Sequence, residues 1–358
     1  MINRHDVSKM SAKVFDSQHI ETFRQWVSQA HRIVLLSHMN ADGDACGGIL
    51  GLTLQLKKAA ISAQSISPIL PNGCPHTFEW LPGSEHILSG DKNEALCRQK
   101  IAEADLIVGV DFNEASRIDF LKDALIDAKG HKVLIDHHQN PDTNQFDIIF
   151  SEDISSACEL VVWVTQALWK TQYYDAQVAR CLYTGLRTDT GGFAFSCEQP
   201  SCFDAAALLV SYDINPADIH NRIVNTFSFN RMAFYGFAIN QRLMIYPDKK
   251  TAIFAFSLED QQRYHVKGED MEGLVNYTLM MNDIEVGALL REERGRTKVS
   301  LRSKYDVDVS QLARQLGGGG HIKASGATCE MSFPNALASV RRLLGVDDAE
   351  PINIDMAL

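Results

Sequence analysis

The chain has 358 residues, 45% hydrophobic and 22% charged, with a formal net charge of −11. At roughly 150 residues per domain this is material for two domains, and the balance excludes a disordered or fibrous chain. The acidity argues against coating long nucleic acid through many phosphate contacts but leaves room for short charged substrates in a local basic pocket.

No apolar stretch approaches the ~20 residues of a membrane helix. Residues 1–15 lack the apolar core of a secretory signal, so the chain reads as cytoplasmic. Ile20, Phe23, Trp26 and Val27 recur at helical spacing within 16–30 and predict a helix over a core. The apolar run Ile33–Leu36 then ends at Ser37-His38, and a helix is expected from Ala45 to Lys58. A second run, Leu106–Val110, ends at Asp111, and a third, Val133–Ile135, ends at Asp136-His137-His138. Short runs apolar throughout and separated by helices are the pattern of buried parallel strands. Helices are expected over 157–169 and 174–187, followed by the Gly-rich stretch that holds Asp189. Residues 203–243 read as mostly helical, with 215–242 as the connection between domains. Strands are expected at 251–257, 284–290 and 297–303, and helices around 308–316 and 334–344 bracket a Gly-rich turn. The fold class is α/β: an N-terminal parallel-sheet domain (1–214) joined by a helical linker (215–242) to a smaller α+β domain (243–358).

Each of three predicted strands ends on metal-binding or acid/base residue types. Ligands bind outside the carboxyl ends of strands in an open parallel sheet. His38 and Asp42 can meet one ion while Asp44 turns to another, with Gly43 permitting a tight bend between the carboxylates. Asp111, Asp136-His137-His138 and Asp189 add to the set. Imidazole with several carboxylates and no thiolate points to a divalent ion such as Mn²⁺. The surplus of carboxylates points to two ions, roughly 3.5–4 Å apart, an arrangement suited to in-line displacement at phosphorus. Taken singly, a D-x-D is most often a solvated turn or helix cap, a His-His a surface pair, and Asp111 a cap for the helix after it. Their joint occurrence at successive strand ends is what carries the metal reading. The eight cysteines (46, 74, 97, 158, 181, 197, 202, 329) form no C-x-x-C pair and read as small core residues.

In the second domain, Gly317 to Gly320 cannot be a helix interior, since each glycine costs about 1 kcal/mol against Ala. Alone they read as a flexible turn. With His321 and Lys323 beside them, their backbone N–H groups can approach a phosphate. Of the cations Arg291, Arg294, Arg296, Lys298, Arg302 and Lys304, Arg302 is the one assigned to the pocket, the others to a solvated strand edge.

The H-x-N-x-D-G-D segment at 38–44, Asp111, the triplet 136–138, Asp189 and the Gly317–His321 stretch together resemble the DHH phosphoesterase family with its associated C-terminal domain. The resemblance runs over nearly the whole chain and is nearest in size to the bifunctional oligoribonuclease/pAp phosphatases. It implies that His38, Asp42 and Asp111 hold one Mn²⁺, and that Asp44, Asp111, His137 and Asp189 hold the other, with Asp111 bridging. It also implies that His138 faces the scissile phosphate, that Asp136 orients the triplet, and that Arg302, Gly318, Gly319, Gly320 and His321 bind the nucleotide across a cleft. Ala41 stands where Pro is usual, and Ala157 where Thr is common. The implied activity is hydrolysis of short oligoribonucleotides and 3′-phosphoadenosine 5′-phosphate. The alternatives are pApA, cyclic di-AMP or polyphosphate as substrate, or a silent nucleotide sensor. The implied partners are short RNA or nucleotides, with no long duplex and no membrane; a homodimer is compatible with this reading.

Overall fold

The computed structural model describes residues 15–353; apart from Phe15, the stretch read for a secretory signal lies outside the described residues. Two compact units divide between Asn225 and Thr226.

The first unit opens on helix α1 (Ser17–Gln29), started by the Asp16 carboxylate, which accepts from the backbone N–H groups of Gln18 and His19. There follow β1 (Arg32–Leu36), α2 (Gly43–Ala59), β2 (Ser65–Leu70), β3 (Leu88–Ser89), α3 (Glu94–Glu103), β4 (Leu106–Val110), α4 (Lys122–Asp127), β5 (His131–Asp136) and β6 (Ile148–Ser151). All strand pairings are parallel, in the order β3-β2-β1-β4-β5-β6. Alternate residues feed two cores. Ile33, Leu35, Leu106, Val108, Val133 and Ile135 face one, which also holds Phe23, Ile49 and Leu52. Val34, Leu36, Ile107 and Leu134 face the other, with Ile101 and Leu125. Burial of each such side chain stabilises the fold by about 1.5–3 kcal/mol. This sandwich explains why the strands are apolar on both faces. The strand order reverses between β1 and β4, which opens a crevice at their carboxyl ends. Helices α5 (Ala157–Trp169), α6 (Ala176–Asp189), α7 (Pro200–Val210) and α8 (Pro216–Val224) complete the unit.

The segment 215–242 divides between the two cores. Ile219 of α8 is buried in the first, whereas Phe234 and Phe237 of α9 (Phe229–Phe237) are buried in the second. The second unit contains β7 (Leu243–Tyr246), β8 (Thr251–Phe256), α10 (Leu258–Arg263), α11 (Asn276–Leu279), β9 (Val286–Glu293), β10 (Arg296–Ser303), α12 (Val309–Gln315), β11 (Gly319–His321), β12 (Ala324–Cys329) and α13 (Phe333–Leu343). Its sheet has the order β11-β12-β10-β9-β8-β7, antiparallel except between β8 and β9. β10 alternates cleanly: Thr297, Val299, Leu301 and Ser303 are buried, and Arg296 and Lys298 are exposed.

The Gly-rich stretch is not a loose turn between helices. Gly317, at φ +80°, follows the end of α12, and Gly319–His321 forms an edge strand paired with β12. No helix among the described residues is long and apolar enough to cross a membrane.

Candidate metal centre

The first-unit residues singled out from the sequence converge at the carboxyl ends of β1, β4 and β5. Two imidazoles are aimed inward by the backbone. His38 Nδ1 lies 2.9 Å from the Met39 carbonyl, leaving Nε2 3.3 Å from Asp111 Oδ2. His137 Nδ1 lies 3.3 Å from the Ile154 carbonyl, leaving Nε2 3.5 Å from both Asp111 Oδ1 and Asp189 Oδ2 and 3.9 Å from Asp44 Oδ2. Fixing one ring nitrogen on a carbonyl so that the other presents its lone pair is how proteins orient metal-binding histidines.

Asp111 sits between the two imidazoles with one carboxylate oxygen toward each. Its φ of +64° is a left-handed conformation uncommon for a residue with a side chain. It turns the chain at the end of β4, while the Asp111 N–H donates to the Ile135 carbonyl of β5 at 3.1 Å. Strain of this kind concentrates at functional sites.

Asp42 does two jobs. Its Oδ1 accepts from the N–H groups of Asp44 and Ala45 and caps α2; the side chain also lies in a cluster with His38 and Asp111. The cap and the metal-type donor are therefore the same carboxylate. Asp44 is fully buried, and the start of α5 holds it: Ala157 N–H donates to Oδ2 at 2.6 Å and Cys158 N–H to Oδ1 at 2.9 Å. A helix N-terminus suits an anion. Gly43 supplies no special bend, because it is the first residue of α2. A Cβ there would come within 2.3 Å of Thr188 Oγ1, so close approach of α6 requires the glycine. Asp189 is likewise not on a loop; it is the last residue of α6.

His138 borders the same centre. Its Nδ1 lies 2.8 Å from Asp136 Oδ1 and 3.7 Å from Asp111 Oδ1. Asp136 is fully buried, and its second oxygen has no hydrogen-bond partner among the described residues.

The electrostatics fit a cation. Burial, with Asp111 and Asp189 close by, pushes the Asp44 carboxyl well up, and burial with Asp111 pushes Asp189 up to about 7. Burial opposes the charged form of His137, but Asp111 and Asp44 outweigh it and raise that ring to about 10. Burial also works on Asp111, yet the two imidazoles hold it well below the usual carboxylate range. Without metal, protons offset carboxylate repulsion; bound divalent ions would replace them. Three groups have donor atoms close enough to share an ion: His38–Asp42–Asp111, Asp44–His137–Asp189, and Asp111–His137–His138. None includes a thiolate, and the donors suit a hard or borderline divalent ion.

The second-unit residues form a separate surface. Register places Arg302 opposite Ala324, and Ala324 opposite His321, so Arg302 and His321 share one face of the sheet across a small residue. Arg291 and Arg296 are both paired to Glu293, whereas among the described residues no carboxylate pairs with half-buried Arg302, whose Nη1 donates to the Leu301 carbonyl at 2.9 Å. Gly318 is needed for close approach, since a Cβ there would lie 2.1 Å from the Gly326 carbonyl oxygen. Gly319, Gly320 and His321 are exposed.

Sequence reasoning missed the backbone groups that aim the centre: the Met39 and Ile154 carbonyls and the Ala157 and Cys158 N–H groups. Backbone atoms carry no residue-type signal. The available hint is Ser156 three residues before Glu159, a helix-start pattern; Ser156 Oγ does accept from the Glu159 N–H.

A parallel sheet with an imidazole–carboxylate centre at its switch point, followed by a mixed-sheet unit with a basic face, defines the class of this protein. The chain belongs to the DHH family: residues 32–186 match the DHH family N-terminal domain and residues 250–345 the DHHA1 domain. It is 27% identical over 325 residues to the bifunctional oligoribonuclease and PAP phosphatase NrnA of Thermus thermophilus, covering 87% of this chain and 90% of that protein. It is 28% identical over 308 residues to the protein of the same name from Mycoplasma pneumoniae, covering 84% and 88%. The crystal structure of an exopolyphosphatase-related protein from Bacteroides fragilis superposes with a TM-score of 0.89 at 32% identity, covering 93% of this chain and 97% of that one.

Proposed function

We propose that this protein is a cytoplasmic, Mn²⁺-dependent hydrolase that converts short oligoribonucleotides and 3′-phosphoadenosine 5′-phosphate to mononucleotides. That it is an enzyme hydrolysing phosphoesters follows from family membership and from its NrnA relatives; the substrates, the ion and the residue roles are our reading. The observation that carries it is Asp111, one oxygen toward His38 and the other toward His137, as a carboxylate shared by two ions requires.

His38, Asp42 and Asp111 would hold one ion, and Asp44, Asp111, His137 and Asp189 the other. Two divalent ions bound there supply positive charge that polarises a phosphoryl group and acidifies water. Asp136 orients the His138 ring through Nδ1, and His138 faces the scissile phosphate, where a positioned donor stabilises developing charge. Arg302, His321 and the Gly318–Gly320 backbone bind the far end of the substrate, which limits its length. An acidic protein with one basic face suits short substrates.

Side-by-side hydrolysis with Mn²⁺ of a five-nucleotide RNA, a 24-nucleotide RNA, pApA, cyclic di-AMP, 3′-phosphoadenosine 5′-phosphate and polyphosphate tests the reading. Preference for the short RNA and the bisphosphate is expected. Efficient cleavage of the long strand, of the cyclic dinucleotide alone, or of polyphosphate alone would overturn the substrate assignment while keeping the metal centre.

A further inference from the structure

Phe195, six residues along the chain from Asp189, is a large aromatic side chain left 64% exposed. Its ring is not free to wander. A Cβ on Gly191 would fall 2.5 Å from Phe195 Cδ2 and 2.8 Å from Cε2, so the ring lies against the backbone at Gly191. Thr190 pins the intervening turn. Its carbonyl accepts from the N–H groups of Ala194 and Phe195, each at 2.9 Å. Its hydroxyl accepts from the Phe193 N–H at 3.0 Å and donates to the Leu186 carbonyl at 2.8 Å. Gly191, Gly192, Phe193 and Ser196 all have φ between +50° and +78°, and for Phe193 and Ser196 that conformation persists only where surroundings enforce it. The neighbouring aromatic has the opposite fate: Phe193 packs between Tyr183 and Phe203, with ring centroids 6.1 and 5.7 Å away. One phenylalanine anchors the turn and the other is displayed by it.

We propose that Phe195 is a nucleobase-binding subsite, on which the base next to the scissile phosphate stacks. The proposal rests on the phosphoesterase reading above and names the substrate class it takes. Gly191 is two residues from Asp189, a separation that can span no more than ~7 Å, comparable to the span from a phosphate to the base of its own nucleotide. Aromatic stacking accepts every base because each has a π-face, so the subsite selects for the presence of a base rather than its identity. A base-free polyphosphate gains nothing from it.

The test compares the wild type, Phe195→Ala and Phe195→Trp on pApA and on its abasic counterpart, which keeps the sugars and phosphates. Phe195→Ala is expected to raise KM for pApA about tenfold while kcat stays within about twofold, and Phe195→Trp to hold the wild-type KM. Removal of the bases is expected to raise KM for the wild type but not for Phe195→Ala. Equal KM for wild type and Phe195→Ala on pApA, or the same rise on the abasic compound, would overturn the subsite. Calorimetric titration with AMP reads the stack without turnover. Tighter AMP binding to wild type than to Phe195→Ala supports the subsite even if pApA is not hydrolysed, in which case the failure lies with the proposed substrates; equal binding sinks it.

Discussion

The two units treat charge in opposite ways. In the first, Asp44, Asp111 and Asp136 are buried together with His38, and each donor is aimed by a backbone group or a neighbouring side chain. In the second, Arg302 is half-buried with no carboxylate partner among the described residues, and His321 lies exposed on an edge strand. Chemistry at phosphorus needs donors fixed to a fraction of an ångström, which only a packed interior provides. Recognition of a substrate end needs access more than fixity. If that contrast is functional, damage to the first unit should appear in kcat and in folding, and damage to the second in KM.

The largest effect is expected at Asp111. Asp111→Asn should lower kcat by on the order of 10³, the loss that follows removal of a key electrostatic group. It should also reduce the Mn²⁺ bound per chain in calorimetry, because the shared donor is weakened. Retained activity with full metal binding would break the shared-carboxylate model. Next comes Asp136→Asn, which weakens the partner of His138; a fall of about 10–100-fold in activity is expected for a residue that orients another, with Mn²⁺ stoichiometry unchanged. A change in stoichiometry would instead place Asp136 among the metal donors.

The same substitution made in both units sharpens the contrast in packing. Gly185 of α6 faces the centre so closely that a Cβ would lie 2.2 Å from Cys158 Sγ and 2.8 Å from Asp44 Oδ1, whereas nothing lies within 4 Å of a Cβ on Gly319. Gly185→Ala should cost about 1–3 kcal/mol through overpacking, and Gly319→Ala should stay within about 0.5 kcal/mol. Urea unfolding of the two variants measures this, and equal costs would deny that the centre is the more tightly built region.

How much of this was legible in the sequence follows the same division. β1, β4 and β5 announce themselves because each holds an unbroken run buried on both faces (Ile33–Leu36, Leu106–Val110, Val133–Ile135), and the donors lie at or just beyond the ends of those runs. β2 is interrupted by Pro68, β3 is only two residues long, and β6 sits at the sheet edge with four residues, the lower limit of a strand signal. β11 is two glycines and a histidine and reads as a turn because glycine is depleted in strands; only its pairing with β12 across the short turn at 322–323 makes it one. Within the site, residue types were readable and reasons were not. Gly43 looked like a bend and is a contact with Thr188. Asp189 looked like part of the glycine stretch but ends α6, because the apolar period that marks a helix stops before its last polar turn. Asp42 shows that the bland reading and the sharp one can hold together.

Arg302→Ala should raise KM for a short oligoribonucleotide about tenfold, the loss of a charge-assisted contact, with kcat and thermal midpoint close to wild type. A collapse of kcat with normal KM would deny the division of labour between the units.

The smallest expected effect concerns an ion pair of the second unit. Arg242 forks onto Asp260, with Nη2–Oδ1 at 2.8 Å and Nε–Oδ2 at 3.0 Å, and Asp260 also accepts from the Ser257 N–H. Burial raises the Asp260 pKa, but Arg242 and the Ser257 N–H outweigh it and hold the carboxyl below its usual range. A depressed folded-state pKa means that the unfolded chain binds the proton first. The stabilisation is therefore present above pH ~4, the ordinary Asp value, and is lost as pH falls through the lower folded-state value. Because Arg242 is open to water on one side, the contribution should be no more than about 1 kcal/mol. The urea-unfolding difference between wild type and Arg242→Ala should therefore be present at pH 7 and shrink below pH ~4. A difference that persists in acid would assign the effect to the guanidinium lying over Phe237, whose ring centroid is 4.8 Å from the guanidinium carbon, rather than to the carboxylate.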